Sequence, residues 1–416
     1  MSGGFSASSG AAGLERNVRI YPWYAAAFNS FFWMPVFFLY FSAQFSLENV
    51  LRLEAVYYAA VVLLEVPSGY FSDTHGRQNT LLVSSAALVF AYALFFFGGG
   101  FAAFAAAQVF LAAGISFNSG TDVSFHFDSL AALGREGEFG EREARVARNA
   151  FLAGGGSALL GGLAAALQLR FAYGLSLLAA LVTLGISAAV VEPAASGRET
   201  TPAARILRQI GTCVGLLRGR PLRWLFGFSV LMTVLNHVPY EFYQPYLGLL
   251  AFELDLPARG TPAAAGFHVA ATMLLAAWFA ARSARLEGRI GVGGLLLFTA
   301  FSQAAVIAVM GAFLHPWVAV LILFRSVPRA LMTAPLNAAI VPRVPQAQRA
   351  TYLSIQSLAG RLAFSAVLYL LSLAAGAGAA PDWPALSLMQ SLSAGLALAG
   401  ALALAATVRV LRREDR

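Results

Sequence analysis

Ionisable residues lie inside the long apolar stretches of this 416-residue chain, where charges are rare, and six of them are the main candidates for function. They are Glu65, Asp122, Glu241, Arg325, Arg329 and Arg361. A charge near the centre of a bilayer costs at least about 2.5–3.5 kcal/mol, so such residues are kept mainly for pairing or for passage of a solute. Arg325 and Arg329 are one helical turn apart on the same face, an arrangement expected of an anion site.

The elements that must position these residues are membrane-spanning helices. The chain is 59% hydrophobic and only 12% charged, whereas soluble domains carry about 25% charged residues. One crossing needs roughly 20 apolar residues. The sequence therefore predicts an all-α polytopic membrane protein with about 12 transmembrane helices. Their expected ranges are about 23–44, 53–72, 79–98, 101–130, 147–167, 171–191, 222–246, 262–282, 291–313, 316–341, 350–375 and 384–408.

The longest hydrophilic stretch, residues 192–221, divides the spans six and six. We expect an N-terminal six-helix half over 1–191 and a C-terminal half over 222–416. The linker between them contains an amphipathic pattern that predicts a helix lying on the membrane surface.

Every basic residue is an arginine, and the arginines concentrate in alternate loops and at the two ends of the chain. Outside the spans, only Arg52, Arg170 and Arg259 fall on the opposite side. The positive-inside rule then predicts a multi-pass membrane protein with cytoplasmic termini. Anionic lipid headgroups account for the net charge of +8, so no nucleic-acid partner is expected. The single cysteine, Cys213, excludes an intrachain disulfide and a cysteine-rich metal site.

The most specific motif is GYFSDTHGR, between the second and third predicted spans, with Gly69, Asp73, Gly76 and Arg77. It resembles the loop 2/3 signature G-x-x-x-D-x-x-G-R of the major facilitator superfamily. Three further passages are similar to passages of bacterial members: NSGTDVSFHFDSL, EFYQPYL and PRVPQAQRATYLSIQSLAGRL. This resemblance implies a location in a bacterial inner membrane. The resemblance implies two six-helix halves. It also implies a cytoplasmic latch in which Asp73 and Arg77 act with Asp128, although the charges could instead only cap helices and fix topology.

Several positions depart from the family pattern. Thr74 and Gln78 replace usual basic residues, which predicts a weaker latch. Phe110 stands where many proton-coupled drug antiporters carry an arginine, and Ala158 where their helix 5 motif has proline. The glycines around Ala158 are more simply interpreted as small residues for close helix packing than as a motif that sets transport direction.

In the superfamily, helices 1, 4, 7 and 10 line the central cavity, so Asp122 could neutralise Arg325. The alternative gives the two residues separate roles, with protons on Asp122 and a substrate anion on Arg325. The remaining substrate or proton candidates, besides Arg329, are polar and aromatic residues of these helices: Asn29, Trp33, Asn118, Asn236, His237 and Glu241. Their mixture of rings and polar groups predicts an amphiphilic substrate.

Glu65 is a candidate for a structural pair with a neighbouring helix or for proton coupling. Arg361 is a further candidate for a structural or coupling charge, and Glu241 for a gate at the outer end of its helix. His126 and His237 are the candidate pH-sensitive groups within spans, although either can simply be a packed histidine.

No zinc-protease, P-loop, nucleophile-elbow or dinucleotide motif occurs in a suitable setting, so no enzyme, metal or cofactor is expected. We therefore expect a monomeric secondary transporter working by alternating access, with a small-molecule substrate, protons and the lipid bilayer as partners. Proton-coupled export of an amphiphilic organic molecule with an anionic group is the preferred hypothesis. The alternatives are uptake of an organic anion or metabolite and, less favoured, a non-transporting membrane sensor.

Overall fold

The computed structural model describes residues 3–193, 204–253, 262–375 and 382–412. The first half, up to the linker, consists of α1 (Gly3–Phe28), α2 (Phe37–Ser42), α3 (Leu47–His75), α4 (Arg77–Phe97), α5 (Gly100–Asn118), α6 (Thr121–Ala131), α7 (Phe139–Leu167) and α8 (Phe171–Ala189).

The linker contributes α9 (Ala204–Leu216), and the second half follows. It consists of α10 (Arg220–Glu253), α11 (Pro262–Ala280), α12 (Ser283–Ala312), α13 (Pro316–Ile322), α14 (Val327–Ile340), α15 (Arg349–Ala375), α16 (Trp383–Thr407) and α17 (Arg409–Arg412). No β-strand occurs within the described ranges. The all-α fold predicted from hydropathy is confirmed.

Each predicted span coincides with one helix or with one interrupted helix. Ten helical segments of the described chain are long and apolar enough to cross a membrane. The two other predicted spans are the first, which is interrupted between α1 and α2, and the seventh, which lies in α10. α10 is 34 residues long, but Asn236, His237 and Glu241 lower its hydropathy. The ten segments together with these two spans agree with the predicted bundle of 12 transmembrane helices.

At the interruption of the first span, side chains add hydrogen bonds to the last carbonyls of α1. Asn29 donates from Nδ2 to the Ala25 carbonyl at 2.8 Å, and Ser30 donates to the Ala26 carbonyl at 2.9 Å. Pro35, just before α2, has no N–H to donate. The predicted 23–44 span becomes two helices joined by turns.

Two further spans are interrupted where the candidate charges lie. α5 and α6 are separated at Gly120, whose φ of +72° is left-handed and favours glycine. α13 and α14 are joined by a 3₁₀ turn, Leu323–Ser326, which contains Arg325. Pro328 begins the helix beyond it and cannot donate to the turn. Asp122 and Arg325 thus both lie beside a break in helix geometry.

The arginine-rich end of the bundle is the end at which α3, α6, α8, α11 and α14 finish and α4, α7, α10, α12 and α15 begin. The larger apolar core lies in the second half and extends into the first half at this end through Val18, Phe127, Leu130 and Phe139. A separate core fills the first half. The halves are therefore closed against each other at the arginine-rich end.

Small residues let α7 and α11 pack closely across the two halves. A Cβ on Gly162 would lie 2.6 Å from the Pro262 carbonyl oxygen and 2.9 Å from Gly266 Cα. Gly156, on the same helix, has no heavy atom within 4 Å of such a Cβ. The glycine-rich stretch of α7, the fifth predicted span, thus contains both packed and unpacked glycines.

We predict that Gly162→Val lowers stability, because its added methyl groups meet the backbone of α11 rather than flexible side chains. The expected loss is about 1–3 kcal/mol, typical of overpacking. Thermal unfolding of purified protein in detergent measures it. Gly156→Val is the matched control, since it makes the same change of residue type without the clash. Equal unfolding temperatures for the two variants would contradict this packing argument.

Candidate functional site

Asp73 lies at the arginine-rich end and joins the first half to the second. Its Oδ2 accepts from the Thr351 backbone N–H at 2.9 Å and from the Thr351 hydroxyl at 2.6 Å. Its Oδ1 accepts from the Ala350 N–H at 3.2 Å. These N–H groups belong to the first turn of α15, where a helix has free donors and a partial positive charge. A carboxylate of one half therefore caps a helix of the other.

Asp128 binds one arginine from each half. Arg77 donates from Nε to Oδ2 at 3.1 Å and also contacts Asp73 at 2.5 Å. Arg349 of α15 pairs with Oδ1 of the same carboxylate. All four side chains are buried. The sequence predicted Asp73, Arg77 and Asp128 as neighbours, and the structure places them together; Arg349, which completes the cluster, was not predicted.

Two glycines of the first half provide the close approach that these contacts need. A Cβ on Gly69 would lie 2.6 Å from Ser354 Oγ and 2.8 Å from the Ala350 carbonyl oxygen. A Cβ on Gly120 would lie 2.7 Å from Leu353 Cβ. Gly76 has a φ of +104° at the turn between α3 and α4, which directs Arg77 back toward Asp73. The role of these residues as a latch stays a prediction.

The linker helix α9 adds a further connection. Gln209 donates from Nε2 to Asp73 Oδ2 at 3.0 Å, to the Ala347 carbonyl at 3.0 Å and to Thr351 Oγ1 at 2.7 Å. One turn later Cys213 is 1% exposed, and burial raises the pKa of its thiol to about 12. The linker therefore covers the charge cluster. Sequence reasoning gave α9 no role beyond lying on the membrane.

We predict that Gln209→Leu loosens α9 and makes Cys213 react faster with N-ethylmaleimide, because only an exposed thiol ionises readily. Hydrogen bonds to a charged group are worth about 1.5–3 kcal/mol, so the rate should rise roughly 10- to 100-fold.

Arg208→Gln is the control, because Arg208 is exposed on the same helix. The rates are compared at one fixed pH. An unchanged rate in Gln209→Leu would show that these hydrogen bonds do not hold α9 in place.

Polar side chains of the second half are exposed near the middle of the spans, and one of them, Tyr240, is close enough to interact with Tyr58 of α3, so we infer a central space between the halves. Arg329 of α14 and His237, Tyr240 and Glu241 of α10 are exposed there, Tyr240 at 43%. The Arg329 charge is close enough to interact with Tyr240 and with Arg361 of α15. No carboxylate among the described residues lies within salt-bridge distance of Arg329. The space therefore presents an unneutralised cation in the middle of the bundle.

Arg325 lies one turn away but is 5% exposed. Its Nη1 donates to His268 Nε2 at 3.1 Å and to Thr272 Oγ1 at 2.9 Å, and its guanidinium lies 4.2 Å from the centre of the Tyr243 ring. His268 must accept, so that nitrogen carries no proton. Helix α11 therefore supplies two neutral partners that sequence reasoning missed, because no local pattern links residues more than 50 positions apart.

Asp122 does not pair with Arg325. Its Oδ2 accepts from Asn118 Nδ2 at 3.1 Å, and Asn118 in turn accepts from the Tyr24 hydroxyl at 2.6 Å. No cation in the described part of the chain bridges Asp122. The Asp122–Arg325 bridge, one of the two possibilities that the sequence left open, is not formed between these described residues, and separate roles for the two stay a prediction. Asp122 is thus a half-buried carboxylate supported by neutral groups.

Glu65 and Arg361 approach each other across the two halves. Arg361 Nη2 lies 3.8 Å from Glu65 Oε2, and the Ser119 hydroxyl donates to Glu65 Oε1 at 2.6 Å. Glu65 is fully buried, whereas Arg361 faces the central space with 28% of its side chain exposed. The geometry matches the structural pair that was one of the two interpretations of Glu65.

The other predicted cavity residues differ in their contacts, and their role in the cavity stays a prediction. Trp33 donates from Nε1 to the Tyr92 hydroxyl at 3.1 Å, inside the first half. Asn29 is occupied by its bond to α1. Asn236 contacts Met332, with its Oδ1 buried and unbonded. His237 has Nδ1 within 2.6 Å of the Thr233 carbonyl. Of this group, His237 and Glu241 face the central space.

No group of three or more His, Cys, Asp or Glu residues in the described chain is arranged to hold a metal ion. The charges of the site are instead divided between two places. Carboxylate–arginine pairs are buried at the arginine-rich end, and exposed arginines lie at mid-depth. The first can hold two halves together, and the second can bind an anion.

The described fold is similar to three solved transporters, each aligned over 94% of this chain. The human organic anion transporter MFSD10 aligns with a TM-score of 0.67 and 17% identity over 99% of its length. A mutant of the nucleoside transporter NupG aligns with a TM-score of 0.66 and 11% identity over 100% of its length. FucP in an outward conformation aligns with a TM-score of 0.68 and 14% identity over 98% of its length.

A second structure of FucP is described as the E. coli fucose:proton symporter, and it aligns with a TM-score of 0.63 and 14% identity. No protein-family model and no curated protein matches the chain. At identities this low, the shared helix order over nearly the whole length establishes the architecture. The chain therefore has the fold of the major facilitator superfamily.

Proposed function

We propose that the protein is a secondary active transporter that exports an amphiphilic organic anion in exchange for protons, by alternating access. The observation that carries this proposal is Arg329, an exposed guanidinium in the middle of a spanning helix without a carboxylate partner in the described chain. Holding a charge at this depth is costly. A bound anion would offset that cost.

The surroundings of Arg329 favour an anion with an apolar part. Arg361 adds a second positive charge, whose nearest carboxylate oxygen, on Glu65, is 3.8 Å away. Arg325, one helical turn from Arg329, adds a third positive charge. Tyr240 supplies an aromatic face to the same space. Arginine binds carboxylates and phosphates through paired N–H donors, while a ring packs against flat apolar groups.

Asp122 is the residue that we propose to carry the transported proton. It is half-buried, lacks a cation among the described residues and is supported by Asn118 alone among side chains. A carboxylate in such a setting can gain and lose a proton without breaking an ion pair. Because Arg325 does not bridge it, proton binding and anion binding can occupy separate halves.

Closure at one end supports alternating access. Asp73, Asp128 and their partners hold the arginine-rich end shut, while Arg329 stays accessible. If the positive-inside rule applies, this end is cytoplasmic and the present state faces outward. The names of two similar structures, an organic anion transporter and a fucose:proton symporter, agree with the proposed substrate class and coupling ion.

Uptake of an organic anion or metabolite is the second candidate. The proton symporter among the similar structures favours it, since symport moves solute and proton in the same direction. The two candidates use the same cation site and the same Asp122, and they differ only in the direction of solute movement relative to the proton.

An untargeted metabolite comparison of cells with and without the protein tests the proposal. Export predicts that an organic anion is enriched in the medium and depleted in the cells, and uptake predicts the reverse. The identified compound is then added to proteoliposomes that contain a pH dye. Solute flux that responds to no pH gradient in either direction would rule out proton coupling.

Arg329→Gln should weaken transport of that compound about 10- to 100-fold, because a charged hydrogen bond to the anion is worth roughly 1.5–3 kcal/mol. Initial flux in proteoliposomes measures the change. Arg285→Gln serves as the matched control, since Arg285 is exposed at the arginine-rich end. Wild-type flux in Arg329→Gln would place the anion site elsewhere.

A further inference from the structure

A second buried carboxylate, Glu143, lies near Asp122 but has no place in the mechanism above. Glu143 of α7 is 4% exposed and His126 of α6 is 1% exposed. His126 Nδ1 lies 2.8 Å from Glu143 Oε2. Both residues belong to the first half. A buried acid beside a histidine is costly unless its remaining oxygen is also bonded.

The remaining oxygen of Glu143 is bonded by the other half. Asn337 of α14 donates from Nδ2 to Glu143 Oε1 at 3.2 Å. The two helices approach closely here, since a Cβ on Gly140 would lie 3.5 Å from Ala338 Cβ. Glu143 therefore accepts from its own half with one oxygen and from the opposite half with the other.

Few other charges act on this pair. Asp122 and Glu143 are close enough to interact electrostatically, and the Tyr21 ring stacks on His126 with centroids 4.3 Å apart. On α7, the neighbouring arginines contact other residues: Arg142 pairs with Glu138, Arg145 with Glu141, and Arg148 donates to Asn149.

We propose that Glu143 is a second proton-binding residue, and that its charge controls closure of the arginine-rich end through Asn337. The ionised carboxylate accepts from Asn337 and holds α7 against α14. A proton added to a carboxylate oxygen removes its negative charge, which weakens the attraction to His126 and to the Asn337 N–H. The contact between the halves then opens.

This inference rests on the proposed proton-coupled transport and assigns it a residue. Asp122 takes the proton near the central space, and Glu143 senses a proton at the closed end. Since Asn337 lies on the same helix as Arg329, release of its contact affects the helix that carries the anion site. Proton binding and helix movement are thereby linked without direct contact between proton and substrate.

The experiment measures the distance between the halves as a function of pH by electron–electron resonance of spin labels. Labels are attached at Ala132→Cys and Ala281→Cys, two exposed positions of opposite halves at the arginine-rich end, in a Cys213→Ser background. The full chain is used in lipid, without substrate. In the otherwise unaltered protein, the open fraction should rise about tenfold from about pH 8 to about pH 5.

Glu143→Gln should be open at both pH values to the extent seen at low pH. Glu141→Gln is the matched control, because Glu141 lies on the same helix with its side chain 69% exposed. Asn337→Leu leaves the Glu143–His126 pair intact and should also remain open at high pH. It tests the contact between the halves without altering a titratable group.

The inference is overturned if Glu143→Gln keeps the full pH response, or if the double-labelled parent shows none. These outcomes are separate from failure of the proposed function. If a pH gradient drives solute flux but Glu143→Gln keeps the normal pH dependence of the label distance, Glu143 is not part of the mechanism and the transport proposal stands. If the label distance depends on pH through Glu143 but no pH gradient drives flux, proton coupling is wrong and the pH-sensitive contact stands.

Discussion

The structure depends on a buried charge cluster that neither half can complete alone. Asp128 of the first half binds Arg77 of its own half and Arg349 of the other, and Asp73 caps the first turn of α15. Removing four charges from water carries a penalty that their mutual attraction offsets only when the geometry is good. A buried charge cluster is therefore weak evidence for stability. Its contacts join the two halves in the present arrangement, and its role as a latch stays a prediction.

Two arginines near the middle of the bundle differ in exposure. With the halves joined at the arginine-rich end, Arg329 is exposed at mid-depth. Arg325, which is buried, contacts His268, Thr272 and the Tyr243 ring instead. Two arginines one turn apart thus have opposite surroundings. Only the accessible one can exchange a ligand without breaking internal contacts.

Much of the architecture could be predicted because hydropathy acts locally. Runs of about 20 apolar residues define spans, and the loop motif placed Asp73 and Arg77 together because they are four residues apart in the chain. Asp128 was placed with them only by family resemblance. Arg349, Gln209 and Glu143 could not be assigned in this way, because their partners lie more than 100 positions away or were not singled out. Trp33 and Asn29, predicted for the cavity, each donate a hydrogen bond within the first half, and their role in the cavity stays a prediction.

The amino-acid sequence by itself determined that the chain is a helical membrane protein and where its helices lie, because apolar length and arginine position are properties of single segments. It also determined which residues bear charge at mid-depth. The tertiary structure alone decided the partners: Arg349 for Asp128, His268 for Arg325, Arg361 for Glu65 and Asn337 for Glu143. Pairing requires distance and direction across different helices, and these arise only when the helices pack.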